Sequence, residues 1–349
     1  MNILTDYHHN SLLNSLRLLF EERLEAKLFR QVGLQWFANN FWNIYPHPAT
    51  AQQYLSLDQR YKPVDGSRQL NQLTGQNLEY YELFDPEYNV NQKALTFDQF
   101  LHKDIDIIIA SVPQHIEPFT KLRNQYKPNA KLIYQVGNTW DIQDMPISNI
   151  MASAKVYIPP KYHSIVYHQE FSTEIFKYSN TPESKNIYSF VNCFSTQDHF
   201  KKDWELFQQV EENMSDWSFR AFGGSCRDGA INGAVALAAK MAEARFILHL
   251  KNGGDGMGHI LFNSFAVGRP LIIKQEYYLG KLGGELLEDG VTCIGIDGLT
   301  PEQIQNKIEQ YNEPLAYERM VDNVRRKFQE KVNFDKEAEL LKVFIENLK

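Results

Sequence analysis

The strongest constraint on the fold is the segment 245–274, in which apolar runs and glycines alternate. An apolar run from Arg245 to Leu250 stops at a loop with four glycines in six residues, at 253–258. A helical pattern of apolar residues follows over 260–267, and a second apolar run begins after Pro270. This order predicts a strand, a glycine-rich loop, a helix and a second strand, the repeating unit of α/β proteins.

The glycine-rich loop also indicates a ligand. Glycine lets the backbone approach a bound group closely, and a helix N-terminus offers N–H groups and a positive dipole end to phosphate. Glycines also serve tight turns alone, and this spacing fits neither of the two common phosphate-binding glycine motifs. The loop by itself leaves phosphate binding and a purely structural turn as alternatives.

The same alternation runs along the whole chain of 349 residues, of which 43% are hydrophobic. Apolar runs predict strands that alternate with helices, for example at 1–7, 105–111, 131–136 and 187–194. Continuous apolar strands are typical of a parallel sheet that helices cover on both faces. A polar stretch at 178–185 has the composition of a linker, so the sequence predicts two α/β domains.

The composition excludes several classes of protein. A net charge of −7 gives no overall positive field for nucleic acid. The three cysteines, Cys193, Cys226 and Cys293, form neither a disulfide framework nor a zinc motif. No apolar run approaches the ~20 residues of a membrane-spanning helix, and the first twenty residues lack the layout of a signal peptide. The sequence therefore predicts a cytoplasmic protein without a transmembrane segment.

Two blocks in the second half resemble the retaining glycosyltransferase family 4, whose members have the GT-B fold. The family motif E-G-F-G-x-x-x-x-E-A-x-A-x-G-x-P-V-I is similar to the run from Asp255 to Ile272. The second motif, G-G-x-x-E-x-x-x-D-G-x-x-G, has a partial counterpart from Gly283 to Thr292. The two blocks lie in the family's order, with a predicted strand between them.

The resemblance implies a fold class and a domain layout. The fold is α/β, with two Rossmann-like domains of the GT-B type that face each other across a cleft. We expect an N-terminal acceptor-side domain at 1–180 and a donor-binding domain at 187–315. The C-terminal helices, 316–349, are expected to pack back towards the first domain, in agreement with the amphipathic spacing near the C-terminus.

The resemblance also implies a site for a nucleotide-sugar donor in the second domain. The implied diphosphate-binding residues are Gly256, Met257, Gly258 and His259. Asp255 takes the place of a glutamate near the donor sugar, and Asn263 that of a glutamate that binds the ribose. Glu285 is expected at the donor hydroxyls. The alternatives are an N-cap carboxylate for Asp255, a solvated helix residue for Asn263 and a helix-opening carboxylate for Glu285.

Four further residues complete the predicted site. The cations that usually hold the donor diphosphate in this family have no match, and Arg227 and Lys251, each at the end of a predicted strand, are the best-placed substitutes. His8 and His9 follow the first predicted strand and can serve as a general base on an acceptor hydroxyl. The alternatives are solvated cations and packed polar histidines.

The resulting hypothesis is a hexosyl- or pentosyltransferase that moves a sugar from a UDP-sugar, or secondarily a GDP-sugar, to an acceptor hydroxyl. The resemblance favours retention of configuration and no required metal or other cofactor. Asp104 and Asp106 form a D-x-D pattern, but they precede a predicted strand, whereas the metal motif follows one. A nucleotide-sugar 2-epimerase and a non-catalytic sugar-nucleotide or glycan-binding module are the alternatives. The acceptor is left open among a saccharide, a lipid carrier, a protein, a small molecule and modified DNA, as is the oligomeric state.

Overall fold

The computed structural model describes residues 1–6, 10–31, 62–63, 79–137, 146–154, 157–180, 182–192, 194–196, 198–251 and 258–349. Contacts between residues divide the chain into two compact units. The first unit comprises 1–153, 157–171 and 334–349, and the second comprises 154–156 and 172–333. The first unit is therefore discontinuous in sequence.

The first unit contains a sheet with nine strands among the described residues. These are β1 (Asn2–Thr5), β2 (Lys27–Gln31), β3 (Lys62–Pro63), β4 (Tyr81–Asp85), β5 (Val90–Leu95), β6 (Ile107–Ala110), β7 (Lys131–Val136), β8 (Asn149–Ala152) and β9 (His163–Val166). Their order is β3-β4-β5-β2-β1-β6-β7-β8-β9. The strand β4 runs antiparallel to both of its neighbours, β3 and β5. The parallel part, from β5 to β9, is the arrangement that the apolar runs predicted.

Helices cover both faces of the parallel part. Those in the first half of the chain are α1 (Asn10–Arg17), which continues as a π-helical turn over Leu18–Arg23, α2 (Phe97–His102) and α3 (Pro113–Tyr126). Successive residues of a strand point to opposite faces of a sheet. Accordingly, Ile3 of β1 packs in one hydrophobic cluster with Leu13 of α1, and Leu4 packs in another with Ile116 and Phe119 of α3.

The second unit contains a parallel sheet with five described strands. These are β10 (Asn186–Ser189), β11 (Ser218–Ala221), β12 (Phe246–His249), β13 (Leu271–Ile273) and β14 (Cys293–Gly295), in the order β11-β10-β12-β13-β14. The helices are α4 (Lys201–Asn213), α5 (Ala234–Glu243), α6 (His259–Val267), α7 (Pro301–Asn312) and α8 (Pro314–Lys331). Short 3₁₀ turns lie at Asp198–Phe200, Glu276–Tyr278 and Leu282–Leu286. Every pair of adjacent strands is parallel.

Local sequence explains where α7 begins. Thr300 accepts a hydrogen bond from the backbone N–H of Gln303 at 3.3 Å, and the Gln303 side chain accepts one from the backbone N–H of Thr300 at 2.9 Å. This capping box pairs N–H groups at the start of the helix, and Pro301 fixes its first turn. The helix then buries Ile304 in the core of the second unit.

The last helix, α9 (Phe334–Glu346), belongs to the first unit. Leu341 and Phe344 enter the cluster that contains Ile3, whereas Tyr317 and Met320 of α8 enter the core of the second unit. The C-terminal segment therefore divides between the units, because its two helices bury apolar residues in different cores. The boundaries 1–180, 187–315 and 316–349 stay predictions.

Candidate functional site

The predicted glycine-rich loop leads from β12 into α6. Lys251 lies two residues after β12 and is half-buried. Gly258 directly precedes α6 with φ 78° and ψ 66°, a left-handed conformation that residues with a side chain rarely adopt. The N-terminus of α6 begins at His259, so the helix presents its first N–H groups and positive dipole end at this turn. Of the predicted loop residues, Asp255, Gly256 and Met257 lie outside the described residues.

Asn263 lies one helical turn after the start of α6. It is four residues after His259 and therefore on the same side of the helix. Its side chain is buried, and among the described residues its Oδ1 has no hydrogen-bond partner. A buried carbonyl oxygen of this kind can accept a hydrogen bond from a ligand hydroxyl. Asn263 lies eight residues after Asp255 in the sequence but only one turn into α6, because the helix begins at His259.

His249 and Tyr278 connect the end of β12 with the turn that precedes the second family-like block. His249 ends β12, and its Nε2 lies 2.9 Å from the hydroxyl of Tyr278. A Cβ at Gly284 would overlap the carbonyl oxygen of Tyr278, so only glycine permits this close approach. The turn that carries Glu285 is thereby held beside the end of β12, and the Glu285 side chain is exposed. Neither His249 nor Tyr278 was predicted from the sequence, because both lie outside the motif positions.

Arg227 is engaged by residues of the second unit. Its guanidinium donates to Glu211 at 2.7 Å, to Asp228 at 3.2 Å and to the carbonyl of Phe219 at 2.9 Å. It also lies over the ring of Trp204, 5.7 Å from the centroid. Burial opposes its charge, but the bonds to the two carboxylates raise the pKa of Arg227 above its ordinary value. Its charge is thus balanced by Glu211 of α4 and by Asp228, which follows β11 by seven residues.

In the first unit, His8 and His9 lie outside the described residues, but the residue before this segment forms an unexpected pair. Asp6 directly follows β1 and makes a buried ion pair with Nδ1 of His115 in α3. The backbone N–H of Ser111 donates to the same Asp6 carboxylate oxygen at 3.0 Å. Burial raises the pKa of Asp6. The charge interaction with His115 and the hydrogen bonds together lower it by more than burial raises it, so the pKa of Asp6 lies below its ordinary value.

The Asp6–His115 pair was only half visible in the sequence. His115 is recognisable from the sequence as a histidine that follows a predicted strand. Nothing in the local sequence distinguishes Asp6 from the neighbouring polar residues. The two residues are 109 positions apart and meet because β1 and β6 are adjacent parallel strands. The available signal was that each follows a buried strand, since the carboxyl ends of parallel strands share one edge of the sheet.

Neither a membrane-spanning helix nor a metal centre is found among the described residues. None of their helices is long and apolar enough to cross a bilayer. No group of three or more His, Cys, Asp or Glu side chains in these ranges could hold a metal ion. Asp106, of the D-x-D pattern, precedes β6, and its carboxylate accepts a hydrogen bond from the backbone N–H of Asn2 at 2.7 Å. The pattern therefore lies at the start of a strand.

Solved structures match this chain along its length, whereas no protein-family model and no curated protein sequence matches it. HepE of Anabaena, solved with UDP and glucose and with UDP-glucose, has a TM-score of 0.63 and 10% identity over 100% of both chains. The sucrose-phosphate synthase of Thermosynechococcus elongatus has a TM-score of 0.62 and 10% identity, over 99% of this chain and 98% of that one. The pneumococcal O-GlcNAc transferase GtfA, solved with UDP and GlcNAc, has a TM-score of 0.56 and 11% identity over the same shares.

The chain has the fold of these glycosyltransferases. The predicted fold class, α/β with two Rossmann-like units of the GT-B type, is therefore confirmed. At 10 to 11% identity the likeness establishes the fold alone. Membership of family 4 and the roles of the individual site residues stay predictions.

Proposed function

We propose that the protein is a glycosyltransferase that moves a hexosyl group from a UDP-sugar to an acceptor hydroxyl. The observation that carries the proposal is Gly258, a left-handed glycine at the N-terminus of α6 directly after the loop that follows β12. That turn lies in a fold shared over full length with glycosyltransferases solved with UDP or UDP-glucose. Fold alone does not fix an activity, so the local turn is the necessary second support.

The proposed donor site assigns each described residue a role. The first N–H groups of α6 bind the diphosphate, whose negative charge grows as the bond from the sugar C1 to the β-phosphate oxygen breaks. Lys251 contributes a positive charge beside the same turn. Asn263 accepts a hydrogen bond from a ribose hydroxyl through its buried Oδ1. Outside the described residues, Asp255 is proposed at the sugar hydroxyls, as the family resemblance implies.

This arrangement supplies positive charge to the leaving group from the α6 dipole and Lys251. We therefore propose that transfer needs no metal, and we expect full activity in excess EDTA. Retention of configuration is the outcome that the family resemblance favours, and NMR of the product's anomeric proton tests it. An epimerase would convert the UDP-sugar in the absence of acceptor, and a binding module would leave it intact.

The decisive experiment measures UDP binding by isothermal titration calorimetry in a Gly258→Val variant. A side chain here would crowd the phosphates, and we expect the Kd for UDP to rise about 100-fold or more, ~2.7 kcal/mol. Gly298→Val is the matched control, since Gly298 has φ +70° and open space around its Cβ position. Both variants carry similar backbone strain, so unchanged UDP affinity in a folded Gly258→Val protein would contradict the proposed site.

A further inference from the structure

The strand β11 is the outermost described strand on one side of the second sheet, next to β10. The backbone N–H groups of Ser218 and of Phe222, which directly follows β11, donate to carbonyl oxygens at the two ends of β10, each at 2.8 Å. Backbone groups alternate between the two sides of a strand, so those of Phe219 and Ala221 point away from β10. Such a row of outward groups is a template on which another strand can pair.

Two consecutive residues of the loop after β11 bind this outer edge. The Asp228 carboxylate accepts a hydrogen bond from the Ala221 N–H at 2.7 Å, and the Asp228 N–H donates to the Ala221 carbonyl at 3.0 Å. The Arg227 guanidinium donates to the Phe219 carbonyl at 2.9 Å. Arg227 and Asp228 therefore make the hydrogen bonds that a neighbouring strand would otherwise make.

The loop that carries these residues is closed on itself and attached to α4. The Gly223 N–H donates to the Gly229 carbonyl at 2.9 Å, so the chain between them turns back along β11. The Arg227 guanidinium also donates to Glu211 of α4 at 2.7 Å and lies 5.5 Å from the ring centroid of Phe207. These contacts hold Arg227 against the edge.

The opposite side of the sheet, at β14, has the same arrangement. The N–H of Ile296, directly after β14, donates to β13 at 3.0 Å, so the backbone groups of Gly295 point outwards. The Asp289 carboxylate accepts a hydrogen bond from the Gly295 N–H at 2.8 Å, and the Lys307 ammonium of α7 donates to the Gly295 carbonyl at 2.8 Å. Lys307 and Asp289 also form an ion pair at 2.7 Å.

The recurrence of one arrangement at both edges indicates more than the pairing of backbone groups. In each case an aspartate accepts from an outward N–H, a cation donates to an outward carbonyl, and the two side chains form an ion pair. Water at an exposed edge would pair the same backbone groups, so pairing alone does not require charged residues. A strand that docked at either edge, however, would have to separate the ion pair and leave its charges without partners.

We infer that two clasps, Asp228 with Arg227 and Asp289 with Lys307, close the edges of the second sheet against strand addition by a second copy of this chain. A freed edge would pair with the same edge of the second copy, since a symmetric dimer joins identical surfaces. The inference is independent of the proposed activity, because it concerns only contacts within the second unit.

The experiment measures the molar mass of the full-length protein by size-exclusion chromatography with light scattering, over a range of protein concentrations. Asp228→Ala removes the carboxylate at the β11 edge, and Asp289→Ala removes the one at the β14 edge. We expect the mass of each variant to rise towards about twice that of wild type at the same concentration, because the freed edges pair. Circular dichroism checks that each variant is folded.

Amide hydrogen exchange in dilute protein tests the edge contacts without association. In Asp228→Ala, the Ala221 N–H should exchange about 10- to 100-fold faster than in wild type, as expected for the loss of a hydrogen bond to a charged group. The Phe222 N–H, which donates to β10, should exchange at the wild-type rate.

Asp216→Ala is the matched control. It removes the same charge from an aspartate shortly before β11, where Asp216 pairs with Lys185 at the surface, and it should leave the mass unchanged. The rescue variant combines Asp228→Ala with Ala221→Pro. Proline lacks the outward N–H that a docking strand would use, and the ladder with β10 does not need that group. The rescue variant should therefore return to the wild-type mass.

Three results would overturn the inference. Folded alanine variants that keep the wild-type mass and amide exchange would show that the clasps exclude nothing. Equal association of Asp216→Ala would assign the effect to net charge, and association of the proline variant would assign it to another surface. Arg227→Met and Lys307→Met remove the cation of each clasp, and their masses decide the question if an alanine variant does not fold.

Discussion

Arg269 provides a sharp test of how the second unit is held together. Its side chain is fully buried, and its guanidinium donates to neutral groups only among the described residues. The shorter bonds reach the Ser179 hydroxyl at 2.6 Å, the Asn180 carbonyl at 2.7 Å and the Ala242 carbonyl at 2.9 Å. Burial lowers the pKa of Arg269 from its ordinary value, which shows that the charge is held at a cost. We therefore ask whether these bonds outweigh the lost hydration.

Replacing Arg269 by Met keeps much of the apolar volume and removes every donor. The carbonyl of Ala242 lies in the last turn of α5, where no intrahelical N–H reaches it, and that of Asn180 lies in a loop. Each buried carbonyl left without a partner costs about 1–3 kcal/mol. Relief of the buried charge offsets part of this loss. We expect Arg269→Met to lower the free energy of unfolding by about 3 kcal/mol.

The assay is urea unfolding followed by tryptophan fluorescence, since Trp204 and Trp217 both pack in the core of the second unit. Arg269→Lys is the companion variant. An ammonium group keeps the charge but has three donors and no planar fork, so we expect a loss of about 2 kcal/mol. If Arg269→Met is as stable as wild type or more stable, desolvation outweighs the hydrogen bonds and the reasoning is refuted.

Two further predictions concern stability. Gly268→Ala should cost about 2–4 kcal/mol, because Gly268 has φ +82° and a Cβ would lie 2.7 Å from the ring of Tyr178. Gly298→Ala, with φ +70° and open surroundings, should cost only about 1 kcal/mol in the same thermal or urea assay, and equal losses would exclude the clash. Burial raises the pKa of Asp228, but hydrogen bonds, including one from Ala221 N–H, bring it below its ordinary value. The stability that the Asp228 carboxylate contributes is thus present above about pH 4 and is lost as the pH falls through the folded pKa. Asp228→Asn should therefore lower the free energy of unfolding by about 1–2 kcal/mol at pH 7. In urea unfolding, the midpoint of the variant should fall less than that of wild type when the pH is lowered.

Strands with continuous apolar runs were predictable from the sequence. Lys131–Val136 was predicted with its observed bounds, and the apolar run at 246–250 contains the strand Phe246–His249. Apart from the exposed Lys131, both strands are buried on both faces, so nearly every residue contributes to the pattern. The short apolar run at 156–158 also predicts a strand, and this prediction is wrong for Tyr157 and Ile158, which lie outside the strands. Whether such a short segment forms a strand depends on its pairing with a neighbouring strand. Here the observed pairing is between β8 and β9.

The candidate site was predictable only where it is local in sequence. The left-handed turn at Gly258 follows from glycine and the adjacent apolar pattern. Arg227 illustrates the limit, because its ion pair with Glu211 joins a loop to a helix 16 positions earlier. Asp6 and His115 illustrate it further, since only the strand order brings them together. A single sequence carries no direct record of such pairings.

The discontinuity of the first unit matters for biosynthesis. The ribosome makes 172–333, nearly all of the second unit, between the sheet of the first unit and the helix that completes that unit. At about 5–20 residues per second this takes ~10–30 s, during which the surface later covered by Leu341 and Phe344 stays open. A nascent chain with such an exposed apolar face is a substrate for chaperones. Termination before Phe334 would leave the face open permanently, whereas 172–333 is contiguous and can fold as soon as it leaves the ribosome.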